Sequence, residues 1–340
     1  FLTAADAGRT RIYQLPVKGG KAKALNPDSR GVYSGLQIAG KKLVAKWENS
    51  AIPAEIVRVD KNGRHEALTD FNTARVKGID LKPFTEFWFE NSNGRQVHSW
   101  LALPPGFDES KKYPLVLQIH GGPFSSSMDS GHVRWSAALL AAPGYVVLMT
   151  DYTGSVGYGE AFSRDIGGDP LKTPGQDVLD AAKVAIERFP FIDASRQAAT
   201  GASYGGHMVN WLQATTTHFK ALVGHAGLVS LEGQYASSDT IFNREIMNGG
   251  PPWSASPVWR DQSPSSYADK FSTPTLLTIG EKDFRVPINQ TLAAWSYVQR
   301  KQVPGRLLVF HDANHWIMKG EEARYFWEEV HAWLASYLLD

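Results

Sequence analysis

The chain has 340 residues, of which 43% are hydrophobic and 20% charged, which is typical of a folded protein of about two domains. Its 35 basic and 34 acidic residues nearly cancel and form no like-charged blocks, so we do not expect nucleic acid binding. No apolar run approaches the roughly 20 residues that cross a bilayer, so we do not expect a membrane anchor. The absence of cysteine excludes a disulfide framework, a thiolate nucleophile and a cysteine zinc site.

Short β-prone runs separated by turn residues fill residues 1–82. The runs are 11–17, 32–38, 43–47 and 55–60, and glycine-containing turns lie between them. This spacing is typical of propeller blades, of which such a length makes about one or two, and an incomplete propeller exposes strand edges. We therefore predict that residues 1–82 are the C-terminal remnant of a β-propeller, with the other blades outside this chain.

Strands alternate with helices in residues 83–340, which predicts a mostly parallel sheet covered on both faces. The eight predicted strands are 84–90, 97–103, 115–119, 146–150, 197–201, 221–224, 275–280 and 306–310. The clearest helical periods are 177–188, 288–301 and 322–339. With the motifs described next, this pattern indicates an α/β-hydrolase fold.

The segment G-A-S-Y-G at 201–205 follows a β-prone run and opens a helical stretch, which is the context of a nucleophile elbow. Small residues on both sides of Ser203 allow a sharp turn. Because a serine hydroxyl is a weak nucleophile at neutral pH, it needs a base and a group that orients the base. We predict that Ser203 is the nucleophile.

The base and its orienting carboxylate are expected after the serine, in the order Asp and then His. Asp283 follows the seventh predicted strand and His315 follows the eighth, both at carboxyl ends, where such sheets hold their sites. We predict that Asp283 and His315 complete a catalytic triad with Ser203.

Two neighbours of His315 are rival candidates. His311 lies at a strand end, which favours a structural role, and Asp312 is too near the base in sequence to face its ring. His311 and His315 have the spacing of a helical zinc pair, but the segment lacks the glutamate of H-E-x-x-H and is predicted as a loop. We therefore expect no metal.

The segment H-G-G-P at 120–123 follows the third predicted strand, where this fold places part of its oxyanion hole. We predict that the N–H groups of Gly122 and Tyr204 form that hole, each stabilising the oxyanion by roughly 3 kcal/mol. The glycine-rich segment 153–159 lacks the Gly-Lys-Ser/Thr ending of a phosphate-binding loop, so we predict a shaped loop beside the active site.

Residues 84–340 resemble the prolyl oligopeptidase family, specifically its dipeptidyl-peptidase V and acylaminoacyl-peptidase branch. The resemblance rests on H-G-G-P at 120, D-Y-T-G-S-V-G-Y-G at 151, G-A-S-Y-G-G-H at 201, G-E-K-D-F-R-V-P at 280 and D-A-N-H-W at 312. The stretch 219–253, which ends in G-G-P-P-W, is similar to dipeptidyl-peptidase V in particular. The resemblance implies a β-propeller that caps the site and admits only small peptides, and it implies no cofactor.

Two positions depart from the family pattern. Asp151-Tyr152-Thr153-Gly154 stands where the family usually has Asn-Tyr-Arg-Gly, so a substrate contact through that arginine is not predicted here. His207 stands where the family commonly has tyrosine.

A peptidase that removes dipeptides has to bind a free α-ammonium group, and a fixed carboxylate is its simplest partner. Glu232, Asp239 and Glu245 lie in the insertion before the seventh strand, and the absent blades are the alternative source. We place Glu245 among the predicted substrate-binding residues. The others are aromatic and suit an apolar pocket for the side chain beside the scissile bond: Phe124, Tyr152, Tyr235, Phe242 and Trp253.

The leading hypothesis is a serine exopeptidase that cleaves dipeptides from the N-terminus of short peptides through an acyl-enzyme, with an apolar or small residue before the scissile bond. The alternatives are an acylaminoacyl peptidase or oligopeptidase, a carboxylic esterase, and an inactive scaffold with the hydrolase fold. Expected partners are the peptide substrate, an N-terminal propeller fragment of the same protein and a second copy in a homodimer. Of the compartments, we favour the periplasm or secretion over the cytoplasm.

Overall fold

The computed structural model describes residues 1–132 and 134–339, and its strands form two sheets. No helix in these two ranges is both long and apolar enough to cross a membrane.

The first sheet is built from residues 2–67. Its strands are β1 (Leu2–Asp6), β2 (Arg9–Gln14), β3 (Lys23–Ala24), β4 (Val32–Ala39), β5 (Lys42–Glu48), β6 (Glu55–Val59) and β7 (His65–Ala67). Strands β4 to β7 form an antiparallel meander, and a single parallel bridge joins β4 to β2, which also pairs with β1 and β3. The four strands predicted here are confirmed, whereas the propeller assignment stays a prediction.

The second sheet has eight strands, as predicted. They are β8 (Thr85–Glu90), β9 (Gln96–Ala102), β10 (Tyr113–Ile119), β11 (Val146–Asp151), β12 (Ile192–Ala202), β13 (Ala221–His225), β14 (Thr275–Gly280) and β15 (Gly305–Phe310). Their order is β15-β14-β13-β12-β10-β11-β9-β8, and all pairs from β15 to β11 are parallel. Only β8 and β9 run antiparallel to their neighbours.

Helices pack on both faces of this second sheet. The α-helices of the described residues are α1 (Thr73–Val76), α2 (Ala137–Ala141), α3 (Glu160–Arg164), α4 (Lys172–Arg188), α5 (Tyr204–Thr215), α6 (Leu231–Tyr235), α7 (Ile241–Asn248), α8 (Val258–Asp261), α9 (Ile288–Arg300) and α10 (Gly320–Leu338). The buried side chains of α4 and α5 pack in one apolar cluster, and those of α2 and α10 pack in another. Each strand of a parallel sheet needs such apolar cover on both sides.

The strand order reverses beside β10 and β12, which are neighbours in the sheet but not in sequence. The chain leaves β10 toward β11 on one side and leaves β12 toward β13 on the other. Loops at the carboxyl ends of strands diverge at such a point and leave a crevice for a ligand. The segment 120–123 follows β10 and Ser203 follows β12, so the predicted site lies at this crevice.

The loop after β10 forms hydrogen bonds with the loops of the first sheet through the buried side chain of Asp129. Its Oδ2 accepts from the N–H of Gly31 at 3.0 Å. Its Oδ1 accepts from the N–H of Ser50 at 3.1 Å and from the Ser50 hydroxyl at 2.7 Å. The two sheets therefore meet directly behind the loop that carries 120–123.

Candidate active site

Ser203 lies in a strained turn between β12 and α5, with φ of +61° and ψ of −119°. A Cβ on Gly201 would lie 2.3 Å from the Gly205 carbonyl oxygen, and one on Gly205 would lie 2.2 Å from the Ile119 oxygen. The turn is thus possible only because both flanking residues are glycine. This geometry is that of a nucleophile elbow, in which backbone strain is held by the surrounding structure.

Two unpaired backbone N–H groups lie beside this turn. The N–H groups of Gly122 and Tyr204 donate no hydrogen bond to another described residue, and that of Tyr204 is at the amino end of α5. Gly121 approaches so closely that a Cβ there would lie 3.4 Å from Ser203 Cβ. Both amides predicted for the oxyanion hole therefore border the serine.

His315 and Asp283 form a short hydrogen bond, with 2.6 Å between His315 Nδ1 and Asp283 Oδ2. Asp283 is buried, and its other oxygen accepts from the N–H groups of Arg285 and Val286 at 2.9 Å each. These bonds fix the carboxylate and leave Nε2 of the imidazole as the nitrogen that can act on a serine.

Ser203 and His315 line one cavity of about 770 Å³. No hydrogen bond joins the Ser203 hydroxyl to His315 among the described residues, and such bonds are often long before a substrate binds. The structure thus brings all three residues of the predicted triad to one site.

The rival candidates for the triad have other partners. His311 is exposed, and its Nδ1 is 2.6 Å from Glu281. Asp312 pairs with Lys282 at 2.8 Å instead of facing the imidazole. No cluster of three potential metal-ligating side chains occurs in the part of the chain that the structure describes.

The segment 120–123 rests on a stack of buried side chains. The His120 ring lies 4.2 Å from the Tyr152 ring and parallel to it, and the Tyr152 hydroxyl donates to the His120 carbonyl at 2.7 Å. On the other side, His120 Nε2 is 2.9 Å from the hydroxyl of Ser155, in the glycine-rich loop. Burial lowers the pKa of His120, so its ring is neutral at pH 7 and pairs with hydroxyl groups. The glycine-rich loop therefore supports the site from behind.

The six predicted substrate-binding residues are placed unequally. Phe124 lines the cavity. Tyr152 is fully buried under the His120 ring and does not line the cavity, because its hydroxyl is used to hold the loop. The other four lie in or near α6 and α7.

These four residues are not among those that line the cavity in the described structure. Tyr235 donates its hydroxyl to Glu245 at 2.8 Å and packs edge-to-face against Trp253. Phe242 is 72% exposed and Trp253 is 78% exposed. Their contacts with a substrate stay predictions.

His225 is a residue of the site that the sequence analysis missed. It is buried at the end of β13, and its Nε2 donates to the His315 carbonyl at 3.1 Å. Its own carbonyl accepts the N–H of Ser203 at 2.9 Å. His225 thus forms hydrogen bonds with the backbone of both Ser203 and His315. Its position at the end of a strand was the only feature of the sequence that indicated a place in the site.

Comparison with known proteins identifies the family of the chain. The sequence profile of the prolyl oligopeptidase family matches residues 131–340. Dipeptidyl-peptidase 5 of Schizosaccharomyces pombe is 34% identical over 265 residues, which are 77% of this chain and 39% of that protein. Dipeptidyl-peptidase 5 of Porphyromonas gingivalis is 30% identical over 99% of this chain and 50% of that protein.

A solved structure has the same fold. The acylaminoacyl peptidase of Pyrococcus horikoshii matches with a TM-score of 0.86 over 99% of this chain and 54% of that chain, and at 24% identity the likeness shows the fold alone. The chain spans about half the length of the curated relatives it matches. Because the family profile covers more than half of the chain, the chain belongs to the prolyl oligopeptidase family.

Proposed function

We propose that this chain is the catalytic part of a serine dipeptidyl peptidase in which Ser203 is the nucleophile, His315 the base and Asp283 the group that orients the base. One observation carries the proposal. A strained serine shares its cavity with an imidazole that a buried carboxylate holds at 2.6 Å, beside two unpaired amides. The relatives named dipeptidyl-peptidase 5 support the substrate class.

The proposed reaction proceeds through an acyl-enzyme. Ser203 Oγ attacks the scissile carbonyl carbon as its proton passes to His315 Nε2, and the carbonyl oxygen becomes negative. The N–H groups of Gly122 and Tyr204 donate to that oxygen. The imidazolium then gives its proton to the leaving amine as the C–N bond breaks. Water repeats the sequence on the ester and releases the dipeptide.

Residues 1–82 are proposed to belong to a β-propeller. The antiparallel meander of β4 to β7 supports this, because a propeller blade is a sheet of four such strands. No carboxylate lines the cavity among the described residues, so we propose that the anchor for the substrate α-ammonium lies on propeller residues other than these. The homodimer and the periplasmic or secreted location stay predictions.

An acylaminoacyl peptidase is the second candidate. The cavity lining contains Arg134, Arg164, Arg244 and Arg285 but no acidic side chain in the described ranges, and such a site disfavours a free ammonium group and tolerates a blocked one. Comparison of a dipeptide 4-nitroanilide with its N-acetylated form separates the two candidates. The leading proposal expects faster cleavage of the free amine, and preference for the acetylated form would replace it.

A fluorophosphonate probe tests the proposed chemistry directly, because it reacts only with an activated serine. We expect covalent labelling of the wild-type chain, loss of labelling in Ser203→Ala, and loss of 4-nitroanilide cleavage in the same variant. An unlabelled wild-type protein with normal thermal unfolding would indicate the inactive scaffold. Cleavage of simple esters without cleavage of peptide amides would indicate the esterase.

A further inference from the structure

Arg244 is a buried cation in the wall of the catalytic cavity. It lies on α7, only 8% of it is exposed, and it lines the same cavity as Ser203 and His315. Burying a guanidinium costs free energy unless anions or several acceptors replace its water. The neighbours of Arg244 therefore show whether the protein itself supplies the anion or the hydrogen-bond acceptors that its guanidinium needs.

The protein gives Arg244 only weak partners. Its Nε donates to the side-chain oxygen of Gln234 at 2.9 Å, and its Nη1 is 4.0 Å from the sulfur of Met247, which is a poor acceptor. No carboxylate of the described residues pairs with it. Burial and the charge of Arg285 lower the pKa of Arg244 to about 10, so the group is still charged at neutral pH.

The other arginines of the cavity are already engaged. Arg285 forms an ion pair with Asp239 at 2.6 Å. Arg164 forms an ion pair with Glu160, and both side chains are exposed on the surface of α3. The guanidinium of Arg134 stacks 3.8 Å above the ring of Trp316. Arg244 is thus the cavity arginine, among those that the structure describes, with neither an anion nor an aromatic face.

The other polar side chains near Arg244 in the described ranges carry no charge that pairs with it. Burial and the charge of Arg244 lower the pKa of His207 to about 3, so that ring is neutral at pH 7 and Arg244 is the cation of this region. One turn along α7 from Arg244, both side-chain amide atoms of Asn248 are buried without a hydrogen-bond partner. Behind the cavity wall that Arg244 forms, Asn248 is thus a buried amide whose hydrogen-bonding groups the described residues do not satisfy.

The position of Arg244 relates it to one residue of a substrate. Arg244 lines the same cavity as Ser203 and Gly122, one of the two predicted oxyanion residues. A substrate residue that is esterified to Ser203 occupies this cavity, so its side chain is the candidate to face Arg244.

We propose that Arg244 is a specificity-determining residue that binds the carboxylate of an aspartate or glutamate immediately before the scissile bond. A guanidinium whose two terminal nitrogens have no oxygen partner can bind such a carboxylate through parallel hydrogen bonds, and Ile246 and Met247 of the cavity wall can contact its methylene groups. This inference rests on the proposed peptidase function and replaces the expected preference for an apolar or small residue at that position.

The test compares dipeptide 4-nitroanilides that share the first residue and carry either glutamate or glutamine as the second. These side chains have the same shape and differ in charge, so their ratio of kcat/KM reports on the cation. We expect the wild-type chain to favour glutamate by about 10- to 100-fold, as is typical of hydrogen bonds to a buried charge. A ratio near one, or one that favours glutamine, would overturn the inference.

Substitutions of Arg244 test whether this residue causes the preference for glutamate over glutamine. Arg244→Met should bring the ratio to about one, and Arg244→Lys should keep part of it because the charge stays. Arg164→Gln is the matched control, since it removes a cation of the same cavity that already has a partner. It should leave the ratio unchanged. Retention of the full preference in Arg244→Met would contradict the inference.

Fluorophosphonate labelling separates this inference from the proposed function. If Ser203 of the wild-type chain is not labelled, the proposed function fails before specificity is measured. If it is labelled but glutamate is not preferred, only the role of Arg244 fails. If Arg244→Met does not fold, the inference is still tested by the glutamate to glutamine ratio of the wild-type chain and by the change of that ratio in Arg244→Lys.

Discussion

Acid should weaken the packing around the active site through His225. This residue is completely enclosed, with Nδ1 at 2.9 Å from the Thr278 hydroxyl and Nε2 donating to the His315 carbonyl. Burial lowers its pKa to about 4, and of the titratable groups that face it Asp283 opposes this shift while His315 adds to it. The native state therefore keeps the ring neutral at a pH where the unfolded chain binds a proton.

The size of the effect follows from the two pKa values of His225. The unfolded chain has a histidine pKa near 6.5 and the native state one of about 4, so stability is unaffected above pH 6.5 and falls as the pH drops from there toward 4. Between pH 7.5 and 4.5 this single residue should cost about 2.5 kcal/mol of the free energy of unfolding. His225→Gln keeps a donor and an acceptor but does not titrate.

Urea unfolding at pH 7.5 and 4.5 measures this loss. We expect the wild-type chain to lose about 2.5 kcal/mol more than His225→Gln over this interval. His311→Gln is the control, because His311 is an exposed histidine and should leave the wild-type pH dependence nearly unchanged. Equal losses in the wild type and His225→Gln would refute the reasoning.

Two further substitutions test the triad and the elbow. Asp283→Asn should lower kcat by about 10⁴-fold in a peptide 4-nitroanilide assay while the protein stays folded, because the amide no longer holds the imidazole in its reactive tautomer; a loss below tenfold would contradict this role. Gly205→Ala should abolish soluble expression or lower the melting temperature strongly, since the new Cβ would lie 2.2 Å from the Ile119 oxygen. Gly320→Ala, with no atom within 4 Å of its Cβ, should leave the melting temperature nearly unchanged, and equal behaviour of the two alanine variants would contradict the steric argument.

Most elements of the second sheet could be predicted because buried parallel strands are continuous apolar runs. The start of β12 was missed, since 193–196 is polar. These residues form an irregularity, where Asp193 pairs with Pro114 and Gln197 with Leu115. Helix α4 begins at Lys172, earlier than the predicted 177, because Pro174 lies in its first turn, where no hydrogen bond is lost.

The three residues of the predicted triad could be selected from the sequence because each follows a strand, β12, β14 or β15, in the order Ser, Asp, His, which is local information. His225 and Arg244 could not. The contact of His225 with His315 joins residues 90 apart in sequence. The role proposed for Arg244 rests on the lack of a paired acid beside it among the described residues, which only the three-dimensional packing shows. Neither residue belongs to a motif.

The loop after β10, which carries Gly122 of the predicted oxyanion hole, forms hydrogen bonds with residues 1–82 and with the end of β11. Asp129 receives hydrogen bonds from Gly31 and Ser50 of the first part of the chain, and Asp151 at the end of β11 receives the N–H of Ser127 at 2.6 Å. These two buried carboxylates fix the loop at residues 127 and 129, on the carboxyl side of Gly122. Each N–H left without its acceptor costs about 1–3 kcal/mol. The loop that carries Gly122 therefore depends on contacts across the predicted boundary at residue 82. We expect a substitution at Ser50, between β5 and β6, to affect the predicted oxyanion hole.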